Sequence, residues 1–314
     1  MAFSGGKPTA VVTSRNNNPV GEALYELCAE RNVAHVAVQH GTGLGYSPVY
    51  EAAPYTTEIA TCDLYLTYSA HDAGVLSRNP LRRGIAESVG LPWDLAFVAT
   101  RRSGLKTTPP LCYVSSQALM GNVMRPIFGG ATEQESVGWE TKIIEEVLAQ
   151  LPHRVLFKPY RAVRYADGNP IHEAARSAEN IKVFEKRLDL RYILNGPRVI
   201  IASHAASTLS WCLLSRLPIV YLHSEEQSPL FDEVREALER GTFWFDSDTP
   251  DFTARLREFL SRPIVEIEEE WKERVSSTDL FVERFVGSVD GGAGRRAAAA
   301  ILRLIRNREQ GCVP

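Results

Sequence analysis

Short, almost wholly apolar runs recur along this chain, each followed by a turn-forming segment and then a helical period. That alternation limits the fold more than any single residue does. The first two runs are Thr9 to Thr13 and Val33 to Val38, joined by the polar loop Ser14-Arg15-Asn16-Asn17-Asn18 and a helix from Pro19 to about Arg31. Strand, crossover helix and strand in this order form a right-handed parallel unit. Pro19 suits the first helical turn and Asn18 the N-cap. The chain therefore reads as α/β with parallel sheets.

After a glycine-rich loop come a short helix around Pro54 to Ala60 and a strand at Leu64 to Thr67, ending at Tyr68-Ser69-Ala70-His71-Asp72. The stretch Leu81 to Lys106 reads as irregular, and Ser103 to Pro110, rich in breakers, as the linker. A second series then runs through strand Leu111 to Val114, helix Trp139 to Leu151, strand Arg154 to Phe157, helix Pro170 to Ala178 and strand Ile181 to Phe184. It continues with strand Arg198 to Ala202, helix Ser207 to Arg216 and strand Pro218 to Leu222. Helical patterns fill Pro229 to Arg240, Pro250 to Leu260, Glu266 to Phe285 and Arg295 to Arg308, with a glycine-rich hinge at Gly287 to Gly294. The expected organisation is a short N-terminal Rossmann-like domain over 1–105, a second over 106–286, and a hinge with a C-terminal helix over 287–314.

At 314 residues with net charge -3, the chain has no global basic field, which argues against nucleic acid or an anionic membrane as main partner. No apolar run approaches the ~20 residues of a membrane span and no signal-peptide core is present, so membrane contact is expected to be peripheral at most. Five cysteines, Cys28, Cys62, Cys112, Cys212 and Cys312, form no CxxC pair and fit a reducing cytoplasm. Seven histidines are dispersed, so no metal site is expected.

Four loops carry the candidate chemistry. Gln39-His40-Gly41-Thr42-Gly43-Leu44-Gly45-Tyr46 follows the strand Val33 to Val38, placing an imidazole at the carboxyl end of a strand, where open α/β sheets bind ligands. Its glycines either admit a substrate against bare amides or simply make a turn. Ala202-Ser203-His204-Ala205-Ala206-Ser207-Thr208-Leu209 puts Ser207 and Thr208 in the first turn of a helix, where unpaired amides favour an anion and where serine and threonine also serve as plain caps. Lys158-Pro159-Tyr160-Arg161-Ala162-Val163-Arg164-Tyr165 sets Lys158, Arg161 and Arg164 at another strand end, with Tyr160 and Tyr165 as faces for a base or sugar. The alternative there is a solvated loop paired with Asp167 and Glu173. Ser115-Ser116-Gln117 with Gly121-Asn122 opens the first loop of the second domain, where a diphosphate often lies. Asp63, Asp72, Glu133, Glu135 and Glu140 are the carboxylates near strand ends that could act as base or nucleophile.

Together these residues resemble the two-Rossmann-domain glycosyltransferases called GT-B, and within them the bacterial surface-polysaccharide enzymes, near the CDP-glycerol glycerophosphotransferases and the CMP-sugar (Kdo and sialic acid type) transferases. Gln39-His40-Gly41 looks like their strand-end His-Gly element, Lys158-Pro159-Tyr160 occupies the place of their His-Pro element without its histidine, and Ser207-Thr208 resembles their serine pair at a late helix N-terminus. The resemblance covers roughly residues 8 to 300, and the first domain is shorter than is usual in such enzymes.

It implies a metal-independent enzyme with no bound cofactor, transferring a glycosyl group from a nucleotide-sugar co-substrate to a surface glycan or lipid-linked glycan in the cytoplasm, at or near the inner membrane face. His40 and Gln39 would be the catalytic pair, in a cleft between the domains. Lys158, Tyr160, Arg164, Ser203, Ser207, Thr208 and Ser116 would grip nucleotide and phosphate, and Gly41, Thr42, Gly43 and Gly45 would form the substrate loop. Transfer of a polyol phosphate, nucleotide-sugar 2-epimerisation and non-catalytic binding of a nucleotide or glycan are the alternatives.

Overall fold

The computed structural model describes residues 8–14, 18–48, 58–98 with the backbone of 99 and 100, 109–116, 131–160, 168–186 and 188–311. The chain is α/β, and its contacts separate it into one unit of Met1–Ala96 with Val282–Pro314 and a second of Phe97–Phe281.

In the first unit, strands β1 (Ala10–Ser14), β2 (Ala34–Val38), β3 (Leu64–Thr67) and β4 (Ile85–Ser88) lie side by side in chain order, all parallel. Helix α1 (Pro19–Glu30) links the first two, and Asn18 caps it by accepting from the Gly21 amide at 3.0 Å, as its position in the sequence predicts. Helix α2 (Ala70–Ser77) leaves the end of β3, and α3 (Trp93–Thr100) follows β4. The stretch expected to be irregular therefore holds a strand and a helix. Ile85-Ala86-Glu87-Ser88 carries too little apolar character to be read as a buried strand, because this strand is half exposed.

The C-terminal helix, here α11 (Ala293–Glu309), belongs to the same unit. Ala300 and Leu304 pack on Ala34, Val36, Leu64, Leu66 and Val89, and burying such side chains contributes about 1.5–3 kcal/mol for each large one. Arg308 pairs with Asp63 at 2.6 Å and Arg296 Nε donates to the Val89 carbonyl at 2.7 Å. The helix of the segment set apart in the sequence as hinge and C-terminal helix thus completes the core of the first sheet. Gly287, at φ 129°, is needed where it stands, since a Cβ there would strike the Tyr68 carbonyl.

The second unit is built on β5 (Leu111–Val114), β6 (Val155–Lys158), β7 (Ile181–Val183), β8 (Val199–Ala202), β9 (Ile219–His223) and β10 (Phe243–Asp246). The spatial order is β10-β9-β8-β5-β6-β7, every pair parallel. Progression outward from β5 runs through β6 and β7 on one side and through β8, β9 and β10 on the other. This reversal of direction next to β5 is the switch point at which open α/β sheets leave a crevice beyond the strand ends.

Helix α4 (Glu133–Glu146) starts at Glu133 rather than Trp139 because Thr132 and Glu135 form a capping box. Helices α5 (Pro170–Ser177), α6 (Ser207–Leu214), α7 (Asp232–Gly241) and α8 (Phe252–Leu260) follow. The helical pattern Glu266 to Phe285 is divided into α9 (Ile264–Trp271), α10 (Val275–Phe281) and a wide turn, Val282–Val286, where the chain passes into the first unit.

Candidate active site

In the first unit, β2 delivers Gln39 and His40 to its carboxyl end, and the two side chains do different things. His40 is partly exposed, with 29% of its side chain open to solvent, and its Nδ1 lies 3.2 Å from Oε1 of the fully buried Glu58. The second oxygen of Glu58 accepts from the Tyr65 hydroxyl at 2.5 Å, which fixes the carboxylate plane. The approach falls short of hydrogen-bond geometry, since Oε1 has no hydrogen-bond partner, but a buried carboxylate beside Nδ1 favours a proton on that nitrogen and so Nε2 as the one for proton transfer. Glu58 carried no signal in the sequence. It sits in an ordinary Thr-Thr-Glu-Ile context and meets His40 only through the fold.

The side chain of Gln39, expected beside His40 as a catalytic group, is taken up as a clamp within the unit. Its Nε2 donates to the Gly41 carbonyl at 2.7 Å and to Asp72 Oδ2 at 2.9 Å, and its Oε1 accepts from the Tyr68 amide at 2.8 Å. Both ends of the amide are thus committed inside the unit. Asp72, wholly buried on α2, also accepts from the Gly45 amide at 2.9 Å; burial raises it to about 6, against the opposing hydrogen bonds of Gln39, Gly45 and Ser69.

The glycine loop is likewise not an open substrate cradle. Thr42, Gly43 and Gly45 are buried, and Gly45 must be glycine because a Cβ would stand 2.5 Å from the His71 ring and 2.7 Å from Asp72 Oδ1. Gly43, at φ 89°, makes the turn itself. The loop's smallness serves its packing on α2, which in turn holds His40 at the rim.

In the second unit, a cavity of about 500 Å³ opens at the switch point beside β5. Its walls are Val114 and Ser115 at the end of β5, Lys158, Pro159 and Tyr160 at the end of β6, Asp189 and Leu190, and Ser207, Thr208 and Trp211 of α6. Four stretches well separated in the linear chain meet here. The cap of α6 is Ala206, which offers no side-chain hydrogen bond, so Ser207 and Thr208 occupy the first turn itself rather than serving as its cap. That arrangement suits an anion, since early amides of a helix point outward along its axis.

Lys158 is only 4% exposed, donates to the Pro159 carbonyl at 2.9 Å and lies 5.8 Å from the Phe184 ring centre. It is therefore no solvated loop cation. Asp189, which caps a short turn and lies 3.9 Å from Arg191, adds an acidic wall that the sequence did not flag. Arg191 is stacked near both Tyr192 and the pocket-lining Trp211, which braces that side.

Two expected nucleotide contacts fall elsewhere. Ser116 donates to Glu140 Oε2 at 3.4 Å and does not line the cavity, its neighbour Ser115 doing so instead. Ser203 is buried against Tyr113, behind the wall. Arg164, Arg161, Tyr165, Gln117, Gly121 and Asn122 lie outside the described residues, as do most of the linker Ser103 to Pro110 and the start of the helix at Pro54. Of the remaining carboxylates, Asp63 pairs with Arg308, Glu133 and Glu135 serve the first turn of α4, and Glu140 is buried behind β5. Among the described residues no three His, Cys, Asp or Glu side chains converge to hold a metal ion, and no helix is long and apolar enough to cross a membrane.

No family model matches the chain, and no curated protein matches it in sequence. Solved structures do match it in fold. A putative UDP-N-acetylglucosamine 2-epimerase from Listeria monocytogenes superposes with TM-score 0.56 at 14% identity, covering 94% of this chain and 74% of its own. HepE of Anabaena, solved with UDP and glucose, gives 0.51 at 12%, covering 93% and 77%. UGT2 of Phytolacca americana, solved with UDP-2fluoro-glucose and pterostilbene, gives 0.50 at 12%, covering 95% and 76%. The class these relationships define is the GT-B architecture of two parallel-sheet α/β units.

Proposed function

We propose that the chain is a glycosyltransferase that takes a glycosyl group from a nucleotide-activated sugar and passes it to a glycan acceptor. The observation that carries this reading is the switch-point cavity of the second unit, where buried Lys158 and the first turn of α6 line the same space. A cation and helix amides together suit a nucleotide phosphate, and Tyr160 and Trp211 add aromatic walls for its base or sugar. Solved proteins of this fold hold UDP or a UDP-sugar, which supports the same reading.

In the proposed step, the acceptor hydroxyl gives its proton to His40 Nε2 as its oxygen attacks the anomeric carbon. The bond from that carbon to the phosphate oxygen breaks, and the nucleotide leaves with the electron pair, stabilised by Lys158 and the helix amides. Glu58 holds His40 and balances the imidazolium that forms. Because cation and amides neutralise the leaving group, the scheme calls for no metal, and activity abolished by EDTA would overturn that part. A CMP-sugar or CDP-polyol donor, a surface or lipid-linked glycan acceptor and peripheral work at the inner membrane face remain part of the proposal.

Epimerisation of a nucleotide sugar is the second reading, favoured by the Listeria relative. A thermal-shift screen against CMP, CDP, UDP and GDP, followed by product analysis with the matching nucleotide sugar, separates the two. Stabilisation by a nucleotide with acceptor-dependent turnover supports transfer, and a free epimer formed without acceptor supports the rival. No stabilisation by any nucleotide would sink both.

A further inference from the structure

Behind the cavity wall, α4 buries a carboxylate that the proposed transfer step does not use. Glu140 is inaccessible to solvent; its Oε2 takes the Ser116 hydroxyl at 3.4 Å, and its Oε1 has no hydrogen-bond partner. Ser115, one residue earlier on the same strand end, lines the cavity and stands beside Glu140, its hydroxyl donating to the Ser116 carbonyl at 3.3 Å. The Tyr113 hydroxyl faces Glu140 and Ser203 without meeting hydrogen-bond geometry to either. A buried carboxylate with one oxygen unserved is better accommodated as the neutral acid.

We propose that Glu140 is a positioning residue that makes anion binding in this cavity proceed with uptake of a proton, acting through Ser115. The inference rests on the reading of the cavity as a phosphate site. Ionised Glu140 draws the Ser115 hydroxyl proton inward, to the side of the Ser116 carbonyl that it meets at 3.3 Å, and away from the ligand. Once protonated, Glu140 donates a single hydrogen bond; Ser115 can accept it and turn its own proton to the anion. The proton comes from solvent, and no bond of the ligand breaks. Repulsion between the carboxylate and the bound anion acts in the same direction.

Burial pushes Glu140 up to about 7, with the nearby hydroxyls of Ser115, Tyr113 and Ser116 working against it, so the switch falls in the neutral range. Its neighbours one turn away on α4 are Ser136, Ile143 and Ile144, none of them charged. On α5, packed against α4, the titratable or charged groups are His172, Glu173 and Arg176; on β5 there is Tyr113, and at the end of β6 Lys158. The cavity's other ionisable groups are Asp189 and Tyr160.

The test uses sulfate and UDP-glucose, neither of which gains or loses a proton between about pH 6 and 8.5, so that any slope belongs to the protein. Affinity is measured by calorimetry in two buffers of different ionisation enthalpy. The unaltered protein should lose on the order of tenfold in affinity across that range and take up a fraction of a proton on binding, whereas Glu140→Gln, whose amide mimics the protonated acid, should bind evenly with no uptake. Ser115→Ala, which leaves the buried acid in place, should bind at low pH as weakly as the unaltered protein does at high pH. Equal slopes in the unaltered and Glu140→Gln proteins overturn the inference while leaving the cavity reading intact. Failure of both probes to bind at any pH removes the cavity reading and this inference with it.

Discussion

Nδ1 of His40 lies 3.2 Å from Oε1 of Glu58, a carboxylate with no solvent exposure of its own. The pair brings together residues from separate stretches of the first unit and sets a buried carboxylate beside a strand-end histidine. If this pairing serves proton transfer, Glu58→Gln should keep the fold and nucleotide affinity while lowering the turnover rate by about 10- to 100-fold, and His40→Ala by about 10²–10⁴. The double variant should be little worse than His40→Ala alone, because the two act as one unit. Steady-state rates beside nucleotide titrations decide it: undiminished turnover in His40→Ala removes the base assignment.

Lys158 and the first turn of α6 share the cavity of the second unit. A hydrogen bond to a charged group contributes about 1.5–3 kcal/mol, so Lys158→Met should weaken nucleotide binding on the order of 10- to 100-fold. Thr208→Glu should weaken it further by placing a like charge where the phosphate is proposed to sit. Isothermal titration with the nucleotide found in the thermal screen checks both, and unchanged affinity in the two variants would place the phosphate elsewhere.

Gly45 supports α2 at a distance that no side chain tolerates, the added carbon standing 2.5 Å from the His71 ring. Gly45→Ala should therefore cost about 1–3 kcal/mol, read as a fall in the urea midpoint with the slope unchanged. Turnover should fall as well, because Gln39 and Asp72 tie this loop to the residue next to His40. A variant as stable as the parent would show that α2 shifts freely.

Asp72 makes stability depend on pH in a definite direction. Its carboxyl rises from 3.8 to about 6 on folding through burial, so the native state holds the proton more tightly than the unfolded chain does. The resulting contribution is fully present below about pH 4 and is lost as pH rises through about 6, a difference on the order of 3 kcal/mol. Asp72→Asn should flatten that part of the profile, measured by urea unfolding from pH 4 to pH 7.5. Parallel profiles for the two proteins would mean that Asp72 does not titrate in this window.

Much of the fold was legible in advance because strands buried on both faces are written as continuous apolar runs: Leu64 to Thr67 and Leu111 to Val114 coincide with β3 and β5. β4 and β10 were not. Ile85-Ala86-Glu87-Ser88 is half exposed and mixed in character, and Phe243-Trp244-Phe245-Asp246 follows a helix with only Thr242 between, so neither carries a clean period. His40, Lys158, Ser207 and Thr208 were visible as candidates because polar residues just past apolar runs fall at strand ends and helix starts.

By itself the sequence determined the α/β class, the parallel direction of the strands and the loops at which chemistry could gather, since these follow from local periodicity, caps and turn residues. Only the tertiary structure decided which of those residues meet. It brought Glu58 to His40, withdrew Gln39 and the glycines into packing against α2, exchanged Ser115 for Ser116 at the cavity wall, and returned the C-terminal helix to the first sheet. Each is a contact between segments distant in the chain, selected by burial and steric fit rather than by local pattern.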